Sequence, residues 1–199
     1  MKRAVDLLLA LLLLVLLAPV WLLVAAAVWL EDRGTVFYRQ ERVGRHGRLF
    51  RIWKFRTMRV NADRIGPLIT AAGDPRITRV GRHLRKWKLD EVPQLLNVLV
   101  GEMSFVGPRP EVKRYVDLYT AEQRRVLELR PGITDEASIA FCDEEALLAA
   151  APDRERFYLE HCIPRKIALN LVYAGRAGVI ADFGVMFRTV FAAALNRSG

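Results

Sequence analysis

The chain contains few of the residues on which several common kinds of enzyme site depend. It has two cysteines, Cys142 and Cys162, whose separation fits no metal-binding motif, so we interpret them as reduced thiols of a cytosolic protein. Its three histidines lie far apart, and no HExxH motif is present. Only three serines occur, none of them in a G-x-S-x-G motif, and the chain has neither a Walker-type loop nor a G-x-G-x-x-G after a strand. A hydrolase triad and a dinucleotide-binding site are therefore not expected.

Acidic residues are scarce around a long apolar segment near the start of the chain. Residues 4–30 carry a single charge, Asp6, and residues 33–59 contain nine Lys or Arg residues but one acid. Lys2 and Arg3 make the other flank basic as well. Positively charged flanks tend to stay in the cytoplasm, and a straight span would carry one of the two flanks across the membrane. The charge pattern therefore favours a segment that enters the bilayer and returns to the same face.

A proline in the middle of the apolar segment bears on the same question. The 27 apolar-segment residues make about 40 Å of helix, which is long enough for a single span of a hydrocarbon core of about 30 Å. Pro19 removes a backbone hydrogen bond and kinks a helix, and the arms on either side, roughly 22 and 16 Å long, are too short to cross alone. We therefore predict a re-entrant membrane helix in residues 1–32. A kinked and tilted single-pass helix is the alternative.

Residues 33–199 are predicted to form one cytosolic, membrane-associated domain of the α+β class, mostly helical. Residues 35–40 and 48–55 are typical of strands and flank a turn with two glycines, which predicts a short β-hairpin. Helices are predicted over residues 77–88, 91–100, 112–129, 144–150, 154–161, 165–173 and 179–195. The last of them carries apolar residues along one side, so it either lies in the membrane interface or packs in the core.

The balance of charge indicates an anionic partner. The formal net charge is +9, which suits both anionic lipid head groups and phosphate-bearing substrates. Nucleic acid also attracts basic proteins, but the membrane segment argues against it, and we expect no nucleic-acid partner. A basic domain at a membrane surface is therefore predicted to act on a phosphorylated compound.

Two adjacent carboxylates, Asp90 and Glu91, are the best candidates for chemistry. They stand at a predicted helix start, where Asp is a favoured N-cap and Pro93 is tolerated, so a purely structural role remains open. Basic residues surround them: Arg82, Arg85, Lys86, Lys88 and, further along, Arg109. An ionised Asp beside a bound phosphate is a candidate nucleophile for phosphoryl transfer, provided that arginines and a divalent cation offset the charge. The second carboxylate would then bind the metal or handle a proton.

The motifs resemble those of the small monotopic phosphoglycosyl transferases of the bacterial sugar transferase family. The matching pieces follow the family order from residue 2 to about residue 134: KR and Asp6 ahead of an apolar run with a mid-run proline, FYRQERVGRHGRLFRIWKFRTM, DPRITRVGRHLRK, LDEVPQLLNVLVGEMSFVGPRPE and RPGIT. The resemblance implies transfer of a phosphosugar from a UDP-sugar to a polyprenol phosphate, usually undecaprenyl phosphate, with release of UMP. It also implies a place at the cytoplasmic face of the bacterial inner membrane, where such enzymes initiate glycoconjugate or exopolysaccharide assembly.

The same resemblance implies a role for each candidate residue. Asp90 is expected to be the nucleophile that forms a covalent phosphosugar intermediate, Glu91 its dyad partner, and the pair the ligands of Mg²⁺. Six basic residues are expected to bind substrate: Lys54, Arg56, Arg76, Arg79, Arg85 and Arg109. Lys2, Arg3 and the helix-breaking Pro19 are expected to anchor the membrane helix.

The sequence departs from the family pattern in two places. Many members have a small polar residue before the helix-breaking proline, whereas this chain has Ala18. Many also continue after GIT with G-x-A-Q-V-x-G-R, whereas this chain reads DEASIAFCDEE, with Cys142 where an arginine is common. We therefore expect residues 135–145 to help set the choice of sugar, which the sequence does not identify.

Two other classes of function compete with the enzyme. One is a membrane-tethered basic module that binds lipid or nucleic acid without catalysis, and the other is a degenerate transferase that serves as a scaffold. Two adjacent carboxylates inside a basic patch weaken anion binding, so Asp90 and Glu91 favour the enzyme over a binding module. The intact GPRP motif argues against a scaffold, although Cys142 leaves that alternative open.

Overall fold

The computed structural model of the protein describes residues 1–62, 70 and 73–195. A long helix, α1 (Lys2–Asp32), precedes an antiparallel hairpin of β1 (Phe37–Val43) and β2 (Leu49–Phe55). The elements that follow are α2 (Arg79–Lys86), α3 (Gln94–Val100), β3 (Ser104–Val106), α4 (Lys113–Val116), β4 (Gly132–Thr134), α5 (Glu136–Ala140), α6 (Glu144–Ala150), α7 (Arg154–Phe157), α8 (Ile163–Ala174) and α9 (Val179–Leu195). The predicted mostly helical α+β fold with a small hairpin is confirmed.

Helix α1 is assigned as one continuous helix that includes Pro19, so the predicted break at this proline is not confirmed. Among the helices in the described part of the chain, α1 alone is long and apolar enough to cross a membrane. Large apolar side chains are exposed along its middle: Leu8, Leu11, Leu12, Val15, Leu16, Leu22 and Leu23. This apolar surface has no cover within the described residues and is typical of a helix in contact with lipid.

The first turns of α1 dock onto the globular part of the protein through the one acid of the apolar segment. Asp6 is buried, and its carboxylate accepts hydrogen bonds from Ser104 Oγ at 2.9 Å and from the Phe105 N–H at 3.3 Å. Burying a carboxylate is costly unless such donors satisfy it. Asp6 therefore fixes the start of α1 against β3, a role that the sequence did not reveal.

The two basic residues at the start of α1 also contact protein groups. Lys2 pairs with Asp182 of α9. Arg3 donates to the carbonyls of Val98 at 2.5 Å and Leu99 at 2.9 Å, near the C-terminal end of α3, where a cation is favourable. Their predicted role in membrane anchoring stays a prediction.

The far end of α1 is held by the same globular part. The carboxylate of Glu31 accepts the free backbone N–H groups of Arg79 at 2.7 Å and Val80 at 3.1 Å, at the start of α2. Asp32 forms an ion pair with Arg56, which lies just after β2. Both ends of α1 are thus tied to one body of protein.

Three apolar clusters hold the fold together. The first joins Ala10 of α1 to Phe50 and Ile52 of the hairpin, Val98 of α3 and Val185 of α9. The second lies around α8 and includes Val112, Tyr115, Val126, Tyr158, Ile163 and Ile167. The third packs the second half of α1 against β2 and α2 through Val24, Val28, Phe55 and Leu84. The second half of α1 therefore packs on the face of β2 that carries Phe55, whereas Phe50 and Ile52 point to the opposite face and into the first cluster.

The parallel pairing of β3 with β4 was not predicted. No strand was predicted in either segment, but Ser104–Val106 pairs with Gly132–Thr134. The strands approach so closely that a Cβ on Gly132 would lie 2.2 Å from the Gly107 nitrogen, which excludes any side chain there. Because the carboxyl ends of parallel strands meet at one edge, the segments after β3 and β4 are brought together.

Three of the predicted helices differ from the structure in extent or continuity. Residues 112–129 form the short α4 and a separate 3-10 stretch, Gln123–Glu128, because Thr120 and Gln123 exchange side-chain-to-backbone hydrogen bonds of 2.9 and 3.2 Å that start a new turn. The predicted helices at 154–161 and 165–173 are instead joined through a π-helical turn, Tyr158–Cys162. Such turns re-aim side chains and often occur at functional sites.

Candidate active site

The two carboxylates lie in a short turn of their own. Helix α2 ends at Lys86, and Lys88 adopts a left-handed conformation with φ 54° and ψ 20°, which is unfavourable for a residue with a side chain. A 3-10 turn, Leu89–Glu91, follows, and Pro93 is the N-cap of α3. Asp90 is therefore not the N-cap of α3, the structural role that the sequence left open. Backbone strain of this kind, directly before the two carboxylates, is typical of functional sites.

Glu91 is fixed by two cations. Arg109 donates to Oε2 from Nη1 at 3.0 Å and to Oε1 from Nη2, which is a two-pronged contact, and Lys54 Nζ lies 3.0 Å from Oε1. Burial alone would raise the pKa of Glu91, but the charges of Arg109 and Lys54 outweigh it and hold the pKa well below its usual range. Glu91 is thus an ionised anchor for both cations.

Asp90 differs from its neighbour in having an unsatisfied oxygen. Its side chain is buried, with 5% exposure, and Oδ1 has no hydrogen-bond partner among the residues that the structure describes. Burial raises the pKa of Asp90, although the charge of Lys54 opposes the shift. Environments that push the pKa values of two carboxylates apart are typical of pairs with divided chemical roles. Asp90 is therefore the member of the pair whose carboxylate has an oxygen that no described residue engages.

A wide cavity of about 1530 Å³ opens beside the dyad. Its charged wall is formed by residues of α2 and the turn after it: Arg79, Arg82, Arg85, Lys86 and Lys88. It is also lined by Leu13 and Leu17, which belong to the apolar helix α1. One continuous space therefore joins Asp90 to a basic surface and to the side of the membrane segment.

A second cavity of about 580 Å³ meets the first at the dyad. Lys54, Asp90 and Arg109 line both cavities. Away from the dyad, the wall of the second cavity includes Tyr115, Tyr119, Tyr158, Ile167 and Asn170. This space is of ordinary size for a small-molecule site.

The six basic residues predicted to bind substrate fall into two groups. Lys54 and Arg109 contact Glu91, Arg85 lines both cavities, and Arg79 lines the wide one. These four therefore line cavities that Asp90 also lines.

The other two line the second cavity but are engaged by acids of their own. Arg56 pairs with Asp32 at the end of α1. Arg76 holds Asp74 in a local turn, with Nε 3.0 Å from Oδ1, and lowers the pKa of Asp74 mainly through this hydrogen bond. These contacts give Arg56 and Arg76 clear structural roles, and their contact with substrate stays a prediction.

The carboxylates offer limited ligands for a metal. The described residues contain no group of three or more His, Cys, Asp or Glu side chains that could hold an ion. Both oxygens of Glu91 accept hydrogen bonds, whereas Asp90 Oδ1 is buried and unpartnered. Since Mg²⁺ is commonly held by one or two carboxylates together with substrate phosphates, the donor set fits a magnesium ion completed by substrate.

A polar cluster on the far side of Arg109 was only partly predicted. Asp135 is buried, and its carboxylate accepts the Arg109 N–H at 3.2 Å, the Ser138 N–H at 2.6 Å and Asn170 Nδ2 at 2.7 Å. The departure from the family pattern pointed to residues 135–145, but no signal in the sequence pointed to Asn170. The cluster connects the GPRP segment, the start of α5 and the middle of α8.

The sequence matches the profile described as bacterial sugar transferase over residues 1–196. The chain belongs to the bacterial sugar transferase family. The resemblance seen in the motifs is thereby confirmed over nearly the whole chain.

Several relatives of this sugar transferase are similar along most of its length. It is 35% identical to the exopolysaccharide production protein ExoY of Sinorhizobium fredii, with 98% of this chain and 86% of the relative covered. It is 37% identical to the UDP-glucose:undecaprenyl-phosphate glucose-1-phosphate transferase of Escherichia coli and 36% identical to the UDP-N-acetylgalactosamine-undecaprenyl-phosphate N-acetylgalactosaminephosphotransferase of Aeromonas hydrophila. The matches cover 100% and 95% of this chain but 41% and 42% of those longer relatives.

Proposed function

We propose that this sugar transferase is a phosphoglycosyl transferase that moves a phosphosugar from a UDP-sugar to undecaprenyl phosphate and releases UMP. The names of the Escherichia coli and Aeromonas hydrophila relatives support the donor and acceptor classes. The observation that carries the proposal is the wide cavity, because it joins a buried carboxylate to a basic surface and to the apolar helix. A polyprenol phosphate needs these features together, since its phosphate must reach the site while its chain stays in the membrane.

The first half-reaction uses Asp90 as nucleophile. Its carboxylate oxygen attacks the β-phosphorus of the UDP-sugar, the bond from that phosphorus to the bridging oxygen breaks, and UMP leaves with that oxygen. In the second half, a phosphate oxygen of undecaprenyl phosphate attacks the same phosphorus, and the Asp90 carboxylate is released. Arg109 and Lys54, held by Glu91, supply fixed positive charge beside the phosphorus.

In the proposed reaction, Mg²⁺ would supply positive charge in addition to that of Arg109 and Lys54. Asp90 would hold Mg²⁺ through its unpartnered oxygen, while Glu91, the other expected ligand, is occupied by Arg109 and Lys54. When bound, the ion offsets the negative charge of the donor phosphates. The chain's own part is to keep Asp90 buried and Arg109 in place.

The membrane helix is proposed to be re-entrant. Contacts at both ends of α1 support this, since Asp6 binds β3 and Glu31 binds the start of α2 within the same body of protein. A helix whose two ends contact one domain cannot place those ends on opposite sides of a bilayer. The exposed apolar residues of α9 support an interfacial position for that helix: Ile180, Phe183, Phe187, Val190 and Phe191. We propose that the domain lies on the cytoplasmic face, because the segments on both sides of the membrane helix are basic.

This topology predicts that both ends of the protein are cytoplasmic. A protease-cleavable tag ahead of Met1 and a second one after Gly199 should both resist protease added to intact spheroplasts and both be cut in inverted membrane vesicles. A periplasmic loop tag on an unrelated inner-membrane protein serves as the control for access. Cleavage of the N-terminal tag alone in spheroplasts would establish a single span and contradict the re-entrant helix.

The activity itself is tested with the purified protein in lipid nanodiscs. With undecaprenyl phosphate, Mg²⁺ and a panel of UDP-sugars, at least one sugar should yield UMP and a lipid-linked sugar pyrophosphate in equal amounts. Omitting the lipid should limit UMP to one equivalent of protein. A non-catalytic membrane module would bind anionic vesicles but release no UMP from any donor, and that result would contradict the proposal.

A further inference from the structure

The second cavity contains a buried hydrogen-bond acceptor that the fold leaves unused. Asn170 of α8 is 3% exposed, and its Oδ1 has no partner within the described part of the chain. Its Nδ2 donates to Asp135 Oδ2 at 2.7 Å and to the Lys166 carbonyl at 3.0 Å. These two bonds fix which way the amide points, so the free atom is the oxygen. Buried acceptors of this kind nearly always have a hydrogen-bond partner, which indicates a bound ligand that donates a hydrogen bond to Oδ1.

The wall beside Asn170 carries opposite charges close together. Lys166 pairs with Glu144 of α6, and its Nζ lies 4.8 Å from the centre of the Tyr158 ring. Glu144, Lys166 and Asp135 line both cavities. Arginines also line this cavity, and two of them, Arg42 and Arg56, form ion pairs with acids. At the wall beside Asn170, a paired lysine and a neighbouring carboxylate offer hydrogen bonds without a local surplus of positive charge. This wall is therefore suited to a neutral, hydroxyl-rich group, whereas the basic surface of α2 suits phosphates.

The geometry of two successive displacements at one phosphorus indicates which cavity holds the UMP part of the UDP-sugar and which holds its glycosyl part. In an in-line displacement, the attacking and leaving oxygens lie on opposite sides of the phosphorus. UMP therefore leaves from the face opposite Asp90, and the lipid phosphate must later attack that same face. Since the wide cavity reaches Leu13 and Leu17 of α1, it is the one through which the lipid arrives, and UMP must occupy it first. The oxygen that joins the sugar to this phosphorus lies off the line of attacking and leaving oxygens in both displacements.

We propose that the glycosyl group of the donor occupies the second cavity between Asp90 and α8, where Asn170 Oδ1 accepts a hydrogen bond from a sugar hydroxyl or acetamido N–H. This inference rests on the proposed function. Asn170 is then a specificity-determining residue 35 positions beyond Asp135, and Asp135 is the positioning residue that joins it to the Arg109 backbone. Recognition of the sugar and placement of the dyad's arginine share one hydrogen-bonded cluster.

The test compares Asn170→Ala with Leu171→Ala, a control that loses packing on the same helix without lining either cavity. UDP-glucose, UDP-galactose and their two N-acetylated counterparts are assayed with undecaprenyl phosphate in nanodiscs. Asn170→Ala should raise KM for the best donor by about three- to tenfold and change its preference over the C4 epimer, as loss of one hydrogen bond would. The inhibition constant of UMP should stay within about twofold. Leu171→Ala should keep the parent's preference.

The outcomes separate this inference from the proposed function. UMP release by the parent protein, together with an unchanged donor preference in Asn170→Ala, would overturn the inference alone. Weaker inhibition by UMP in step with the donor KM would assign the cavity to the nucleotide and also overturn it. If no UDP-sugar yields UMP with the parent, the proposed function fails and the inference with it. Should Asn170→Ala not fold, Asn170→Ser keeps a donor for Asp135 and is judged by the same two constants.

Discussion

Replacement of Asp90 by asparagine is expected to abolish both turnover and the covalent adduct. With a UDP-sugar alone, the parent protein should release up to one equivalent of UMP and gain the mass of one phosphosugar on Asp90. Asparagine has the same shape but is not a nucleophile, so Asp90→Asn should lose about a thousandfold or more of the activity and show no adduct. Intact-protein mass spectrometry and a UMP assay measure the two effects.

The matched control for this change is Asp117→Asn. Asp117 is exposed beyond α4, pairs with Lys113 on the surface and lines neither cavity, so the same loss of a carboxylate there should leave UMP release unchanged. The adduct formed by the parent should disappear when undecaprenyl phosphate is added, with ping-pong kinetics. Full turnover by Asp90→Asn, with no adduct in the parent, would mean direct attack by the lipid phosphate and would contradict the assignment.

Local sequence patterns predicted the elements whose stability is local. Helix α9 begins and ends at the predicted residues, 179 and 195, because its apolar side has a clear helical period. The hairpin was predicted from alternating residues and a glycine turn. In the structure its first strand is Phe37–Val43 rather than 35–40, and its second strand begins one residue later than predicted. The pairing of β3 with β4 could not be predicted, since three-residue strands carry almost no pattern and their partners are 28 positions apart, as Ser104 and Gly132 show.

The sequence predicted those candidate site residues that lie in motifs of the family. The dyad and the two cations Lys54 and Arg109 all lie in motifs of the family, and the structure brings both cations within hydrogen-bond distance of Glu91. Asn170 lies in a helix with no motif. Its Oδ1 is identified as the unpartnered atom only because Asp135 and the Lys166 carbonyl accept hydrogen bonds from its Nδ2. A role that depends on an unused hydrogen bond is visible only in three dimensions.

Asp6 illustrates the same limit within the membrane segment. The sequence marked it as the one charge in a long apolar run, which is unusual for a helix in lipid. Its structural role depends on Ser104 and Phe105, nearly a hundred positions away, which donate hydrogen bonds to the carboxylate. The acid that is costly in a bilayer is therefore a docking contact between α1 and the catalytic part of the protein.

Replacement of Glu91 by glutamine is expected to lower kcat by about a hundred- to a thousandfold while the shape of the site is kept. The amide nitrogen of glutamine would face one of the Arg109 donors, so the two-pronged contact is lost. Lys54 is affected as well. Burial lowers its pKa, and the charge of Glu91 partly offsets that shift, so removal of the charge lowers the pKa further.

The pH profile and the magnesium requirement distinguish the role of Glu91 as an anchor from a role as a metal ligand. A lysine whose pKa falls loses its proton, and with it its positive charge, at a lower pH. The activity of Glu91→Gln should therefore decline on the alkaline side at a lower pH than that of the parent. The half-saturating Mg²⁺ concentration should stay within about twofold, because Arg109 and Lys54 already occupy the Glu91 oxygens. A tenfold higher Mg²⁺ requirement, with the full rate restored at saturation, would instead make Glu91 a ligand of the metal.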